Sequence, residues 1–265
     1  MDMPITHPTD TPDFADSTER THPWLSVAQS SVGHIRRANE DSFLDAREQN
    51  LWVVADGMGG HSRGDRASQA IIEHLVTFRA LESHQASVDD IRKRLNQANM
   101  MCRQITRGKV MGSTVVVLYR TDNQCSVIWA GDSRMYCLRK GRMKQITEDH
   151  SLVQELCRLG ELTPEQAENH PSSNVITRAV GVHDVLNLDI IDFQAEPGDR
   201  FLLCSDGLFK DVRQKEVLKN LSHPALEQSL DLLVKKALAR GGTDNVTAIL
   251  VQANAPAQKT VDTLS

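Results

Sequence analysis

Apolar and polar residues alternate from Trp24 to Ser30, the two-residue period of a strand with one face buried. Leu51 to Ala55 is apolar throughout and predicts a second strand, covered on both faces. At Gly64 the period lengthens. Ala67, Ala70, Ile71, His74, Leu75 and Phe78 mark one face of a helix reaching about Ala80. A second helix is expected to begin at Ser87, an N-capping residue with Asp89 and Asp90 in the first turn, and to end at Gly108. Ile91, Leu95, Ala98, Met101, Cys102 and Ile105 line one side of it, so the two helices should pack as an antiparallel pair.

Strand patterning returns over Ser113–Arg120, Cys125–Ala130 and Arg134–Arg139, and a Lys140-Gly141 turn leads into Arg142–Thr147 as a hairpin. Residues 149–180 are more polar and read as an excursion with short helices at Ser151–Leu159 and Pro164–Asn169. Leu186–Phe193 and Asp199–Ser205 predict strands, Leu226–Arg240 a helix stopped by Gly241-Gly242, and Val246–Gln252 a last strand. No repeat or linker divides the pattern. It predicts one domain over 23–253, with paired helices around antiparallel sheets, between disordered tails at 1–22 and 254–265.

The bulk numbers narrow the class. The 265 residues, 40% hydrophobic and 25% charged with a net charge of -5, describe a soluble globular protein. No basic stripe with interleaved aromatics suggests nucleic-acid binding. No apolar run nears the ~20 residues that span a bilayer, and no signal peptide is visible, so a cytoplasmic location is expected. Cys102, Cys125, Cys137, Cys157 and Cys204 form no Cys-x-x-Cys pair and read as free thiols in a reducing compartment.

Chemistry concentrates at strand ends. Leu51-Trp52-Val53-Val54-Ala55-Asp56-Gly57 and Phe201-Leu202-Leu203-Cys204-Ser205-Asp206-Gly207 each end an apolar run on Asp-Gly. Val127-Ile128-Trp129-Ala130-Gly131-Asp132 moves the glycine ahead, and in Gly242-Thr243-Asp244-Asn245-Val246 the strand follows. Aspartates delivered to strand ends can converge from distant segments, and converged carboxylates without a fixed cation suit Mg²⁺ or Mn²⁺. The segment Asp56-Gly57-Met58-Gly59-Gly60-His61 has two readings. It could cradle phosphate at a helix N-terminus, although its spacing fits no dinucleotide or P-loop pattern. Alternatively Asp56 bridges two cations while Gly57, lacking a side chain, lets its carbonyl reach one. Arg36-Arg37-Ala38-Asn39-Glu40-Asp41 offers a planar fork for phosphate oxygens and two further acids, or simply a solvated turn.

Six segments in order carry a closer resemblance. Arg36–Ser42, Asp56–Gly60, Gly112-Ser113-Thr114, Gly131-Asp132-Ser133-Arg134, Ser205-Asp206-Gly207 and Gly242-Thr243-Asp244-Asn245 resemble the metal-dependent protein serine/threonine phosphatases of type 2C, over roughly residues 25–252. The resemblance implies an α+β four-layer sandwich: two antiparallel sheets packed as a central β-sandwich, flanked by pairs of antiparallel helices. It implies a centre of two Mn²⁺ or Mg²⁺ ions with a possible third. Asp56 would bridge the two, Asp206 and Asp244 would bind the first, and the Gly57 carbonyl the second. Glu40 and Asp41 would act through waters, Arg36 would bind phosphate, and Asp132 with Asp206 would form the third position. Residues 148–178 would be a mobile flap. Many eukaryotic members carry histidine after the Asp-Gly as a proposed general acid; Met58 here matches the bacterial Asp-Gly-Met-Gly-Gly pattern and leaves that role open, with His61 as the nearby candidate.

The expected activity is hydrolysis of phosphoserine and phosphothreonine on proteins by a metal-activated water. Partners would be phosphoproteins, a bacterial Ser/Thr kinase and its substrates, with secretion-system control as one setting, and the chain a monomer. Thiolate chemistry is excluded by spacing. It needs arginine six residues after the cysteine, where Gly108, Gly131, Met143, Thr163 and Lys210 stand. An inactive phosphatase-like binding module would be marked by lost aspartates, yet Asp56, Asp206 and Asp244 are present. A metal-dependent nuclease should show basic grooves.

Overall fold

The computed structural model describes residues 24–59, 63–106, 111–168 and 170–254. One sheet runs in the order β1 (Leu25–Ser31), β11 (Val246–Gln252), β10 (Arg200–Cys204), β7 (Arg134–Arg139), β8 (Arg142–Gln145). The other runs β2 (Asp41–Ala46), β3 (Leu51–Met58), β5 (Val115–Thr121), β6 (Gln124–Ala130), β9 (Asp189–Gln194), with short β4 (Gly112–Ser113) on the end of β3. All pairings are antiparallel.

Side-chain alternation divides the core into layers. Trp52, Val54, Val116, Leu118, Val127 and Trp129 point inward against Met135, Phe201, Leu203, Ile249 and Val251 of the facing sheet. Trp24 stacks on Trp52 and on Phe201, with centroids 6.0 and 5.6 Å apart. The odd positions Leu51, Val53, Ala55, Val115 and Val117 meet Ile71 and Leu75 of α1 (Gly64–Leu75) and Ile91 and Leu95 of α2 (His84–Thr106). On the other side Leu202, Cys204, Ala248 and Leu250 are covered by α6 (Gln214–Leu221) and α7 (Leu226–Ala239). The result is helix, sheet, sheet, helix, the four layers expected.

Several boundaries differ from the sequence reading, each for a local reason. Helix α2 starts three residues before Ser87, because the Ser83 hydroxyl accepts from Ala86 N while Ser87 Oγ is engaged by Leu81 N. Helix α1 stops at Leu75 rather than near Ala80. The polar stretch Asp41–Ala46 becomes an edge strand, which needs pairing on one side only and tolerates half-exposed side chains. The four-residue α5 (Asp206–Phe209) and α6 also form where no helix was read. The polar excursion holds α3 (Leu152–Arg158) and α4 (Pro164–Glu168) and is tied back by the bridges Ser151↔Ile176 and Ser113↔Val180. Gly108 lies outside the described residues. Among those described, no helix is long and apolar enough to cross a membrane.

Candidate metal centre

The buried run Leu51–Ala55 carries β3 through the sandwich and delivers Asp56 to its end. In the β2–β3 register Asp41 lies directly opposite. The Asp56 backbone is fixed from the β4–β5 side. Its N–H donates to Thr114 Oγ1 at 3.1 Å, and its carbonyl accepts from Thr114 N and Ser113 Oγ. Gly57 follows in a space with no room for a side chain. A Cβ there would lie 2.1 Å from the Gly64 carbonyl oxygen and 2.6 Å from that of Glu40. Gly64 is confined in turn, a Cβ there lying 2.6 Å from Glu40 Oε2 and 2.9 Å from the Gly57 carbonyl carbon. These two glycines let α1 begin against the strand end, with Glu40 beside them.

The second sheet supplies the facing half. β10 ends at Cys204, Ser205 stands at the N-cap of α5, which Asp206 opens, and a Cβ on Gly207 would fall 2.1 Å from the Asn245 carbonyl oxygen. Ser205 Oγ donates to Asp41 Oδ2 at 2.8 Å, joining the sheets across 164 residues of sequence. Asn245 is the main organiser of the Arg36 loop. Its Oδ1 accepts from Glu40 N at 2.8 Å, and its Nδ2 donates to the Val32 and Ala38 carbonyls at 2.9 and 3.0 Å. Arg36 thereby reaches Asp244, with Nη2 to Oδ2 at 2.7 Å. Asp132 follows Gly131, which must be glycine because its φ is +110° and a Cβ there would lie 2.6 Å from the Thr114 side chain. Thr114 in turn pairs with Ser133 at 2.7 Å.

Electrostatics show that the acids share one environment. Burial first, then Asp206 and Asp244, push the Asp41 carboxyl up to about 7. Burial, then Asp206 and Asp149, do the same for Asp132, also to about 7. Asp56 is raised well above the ordinary carboxylate range by burial and by Asp41, Asp206, Asp132 and Asp244. The Oδ1 atoms of Asp41, Asp132 and Asp206 are buried without a hydrogen-bond partner. Like-charged, desolvated carboxylates with orphaned oxygens fit hard cations, which would supply the missing partners. Among the described residues no three His, Cys, Asp or Glu side chains already close around one point, and Asp41, Asp206, Asp132 and Asp244 all act on Asp56. A groove of about 400 Å³ runs from Asp41 along Phe43 to Gln69 and Glu73 of α1.

Every expected site position that is described stands at this end: Arg36, Glu40, Asp41, Asp56, Gly57, Asp132, Asp206 and Asp244. His61 lies outside the described residues. Sequence reasoning missed the roles of Asn245, Ser205 and Thr114, although all three sit inside the quoted motifs. It also missed Lys210, whose ammonium donates to Asp206 Oδ2; the available signal was the four-residue helical spacing between them.

A sandwich that gathers oxygen donors and an arginine fork at one end defines a class, the metal-dependent hydrolases of phosphate esters. The particular family follows from comparison. Residues 32–242 match the family model described as protein phosphatase 2C, and the chain belongs to that family. It is 36% identical over 234 residues to the serine/threonine phosphatase Stp of Listeria welshimeri, covering 84% of this chain and 93% of that protein. Among solved structures it is similar to "PppA, a key regulatory component of T6SS in Pseudomonas aeruginosa". The TM-score is 0.82 and the identity 46%, over 88% of this chain and 99% of PppA. The catalytic domain of PstP, solved in complex with two manganese ions, gives a TM-score of 0.77 and 34% identity over 88% of this chain and 99% of that one.

Proposed function

We propose that this chain removes phosphate from phosphoserine and phosphothreonine of bacterial proteins at a centre of two Mn²⁺ or Mg²⁺ ions. The observation that carries the reading is the cluster of buried acids at this end: burial and neighbouring carboxylates raise Asp41, Asp56 and Asp132, and the buried Oδ1 atoms of Asp41, Asp132 and Asp206 have no hydrogen-bond partner, a setting that suits hard cations. Asp56, the Gly57 carbonyl, Asp206 and Asp244 would hold the two ions, with Glu40 and Asp41 acting through water. Asp132 stands with Asp206 at the position a third cation would take, the place Lys210 Nζ already approaches through Asp206 Oδ2. When bound, the ions supply Lewis-acid charge to the phosphoryl group and lower the pKa of water. Arg36 contributes a planar fork for phosphate oxygens, aimed by the Asn245 clamp. The Thr114–Asp56 hydrogen bonds and the Gly57–Gly64 contact keep the donors in place.

Four of the five thiols are poor nucleophiles. Burial pushes Cys102 and Cys137 up to about 11, and Cys125 and Cys204 up to about 12. A binding module without catalysis has no support in this intact donor set. The partners are phosphorylated proteins, among them a Ser/Thr kinase and its substrates, and the chain acts as a cytoplasmic monomer. Likeness to PppA supports a place in secretion-system control. Residues 148–178 serve as a flap beside the site, a reading supported by the reach of Asn174 to Lys210.

The test compares a phosphopeptide with a nucleic-acid substrate under Mn²⁺. Activity on the phosphopeptide should need Mn²⁺ or Mg²⁺, vanish with EDTA and survive thiol-blocking reagents. Asp56→Ala and Asp244→Ala should abolish it while the circular dichroism spectrum stays unchanged. Full activity of either variant at saturating Mn²⁺ would remove that residue from the site.

A further inference from the structure

Lys210 brings a positive charge into the acid cluster from outside every quoted motif. It follows α5, four residues after Asp206, and its Nζ donates to Asp206 Oδ2 and, at 2.7 Å, to Asn174 Oδ1. The side chain is 38% exposed, against 12% for Asp206, so the pair is only partly screened by water. Asp132 and Asp244 also act on this ammonium. Asp132 and Asp206 are nearly buried, and each keeps an Oδ1 without a partner. One cation therefore bonds one acid of the centre, faces two more, and holds a residue of the polar excursion.

We propose that Lys210 is a built-in cation of the centre and a latch for the excursion. Its ammonium takes the part of a third divalent ion for Asp206 and Asp132, and through Asn174 it holds residues 170–176 beside them. The inference rests on the reading of these acids as a metal centre. A fixed ammonium next to Asp206 repels a further cation, so the chain should accept two ions. An ammonium also has three donors, enough to hold Asp206 and Asn174 together. Lys210 is thus a positioning residue that couples the excursion to a metal-holding carboxylate.

Two measurements test this without relying on turnover. Equilibrium dialysis gives the number of Mn²⁺ bound, and hydrogen exchange read by mass spectrometry follows residues 170–176. The wild-type chain should bind two Mn²⁺, Lys210→Gln three, and Lys210→Arg two. Asn174→Ala should keep two ions, yet both it and Lys210→Gln should speed exchange in 170–176 about tenfold, the loss of one charge-assisted hydrogen bond. Lys210→Arg, which keeps the charge, should restore most of the protection, an outcome a general loss of fold would not give. Three ions on the wild-type chain, or two on Lys210→Gln, would overturn the built-in cation. Unchanged exchange in both variants would overturn the latch. A wild-type chain that binds no Mn²⁺ would overturn the metal-centre reading and this inference with it.

Discussion

Gly57 and Arg36 show at the scale of single residues how differently two members of the site bear on fold and on chemistry. The Gly57 Cβ position is filled by two backbone carbonyls, which cannot swing aside as a side chain could. Gly57→Ala should therefore push α1 from the strand end, costing about 1–3 kcal/mol in urea unfolding and most of the phosphatase activity. An alanine variant with wild-type stability would show that α1 yields without cost. Arg36 is the opposite case. Its side chain is 52% exposed, and the guanidinium pairs with Asp244 at the surface. Arg36→Ala should change stability by less than about 1 kcal/mol while raising KM for phosphopeptide about tenfold or more, because the fork meets a dianion already present in the ground state. Arg36→Lys should recover part of the loss, since bidentate geometry goes. Greater damage from Arg37→Ala would mean that the neighbouring arginine holds the phosphate.

Between elements, the junction of β11 with the Arg36 loop decides the geometry. Asn245 is 5% exposed and satisfies three backbone groups of that loop with one amide. Asn245→Ala should leave the Val32 and Ala38 carbonyls and the Glu40 N–H short of partners, at about 2–4 kcal/mol in thermal or urea melts. KM should rise as well, because Arg36 loses its fixed approach. A melt within error of wild type would place the loop's support elsewhere. The sequence made β11 legible to the residue, and the buried strands nearly so, because continuous apolar runs admit few other fates. It left β2 illegible, since a half-exposed edge strand carries no strong period. The site's aspartates were legible through their motifs, but what joins them was not. The Ser205–Asp41 and Lys210–Asn174 contacts bridge segments whose adjacency only the topology creates, and no spacing rule encodes it.

For the whole molecule, gathering acids at one end has a thermodynamic consequence that depends on pH and metal together. In the unfolded chain an aspartate titrates near 4, whereas in the folded, metal-free chain Asp41 and Asp132 hold their protons up to about 7 and Asp56 is raised well above the ordinary range. Between those limits these carboxyls bind more protons in the native than in the unfolded state, so their contribution to stability falls as pH rises, outweighing the opposite slope of His84 and His150, whose pKa burial lowers. The contribution is fully present below about pH 4 and is lost by about pH 7 for Asp41 and Asp132; shared repulsion keeps the aspartates from adding independently. The EDTA-treated protein should therefore melt at a higher temperature at pH 5 than at pH 8. Mn²⁺ should invert that slope, because cations bind the ionised carboxylates and stabilise the native state in proportion to ligand excess. Asp56→Asn, which removes one member of the repelling set, should flatten the EDTA curve and weaken the response to Mn²⁺. A metal-free melting temperature that is flat or rises from pH 5 to pH 8 would mean that these carboxylates ionise in the folded chain without mutual cost, and the case for a cation-demanding centre would lose its electrostatic basis.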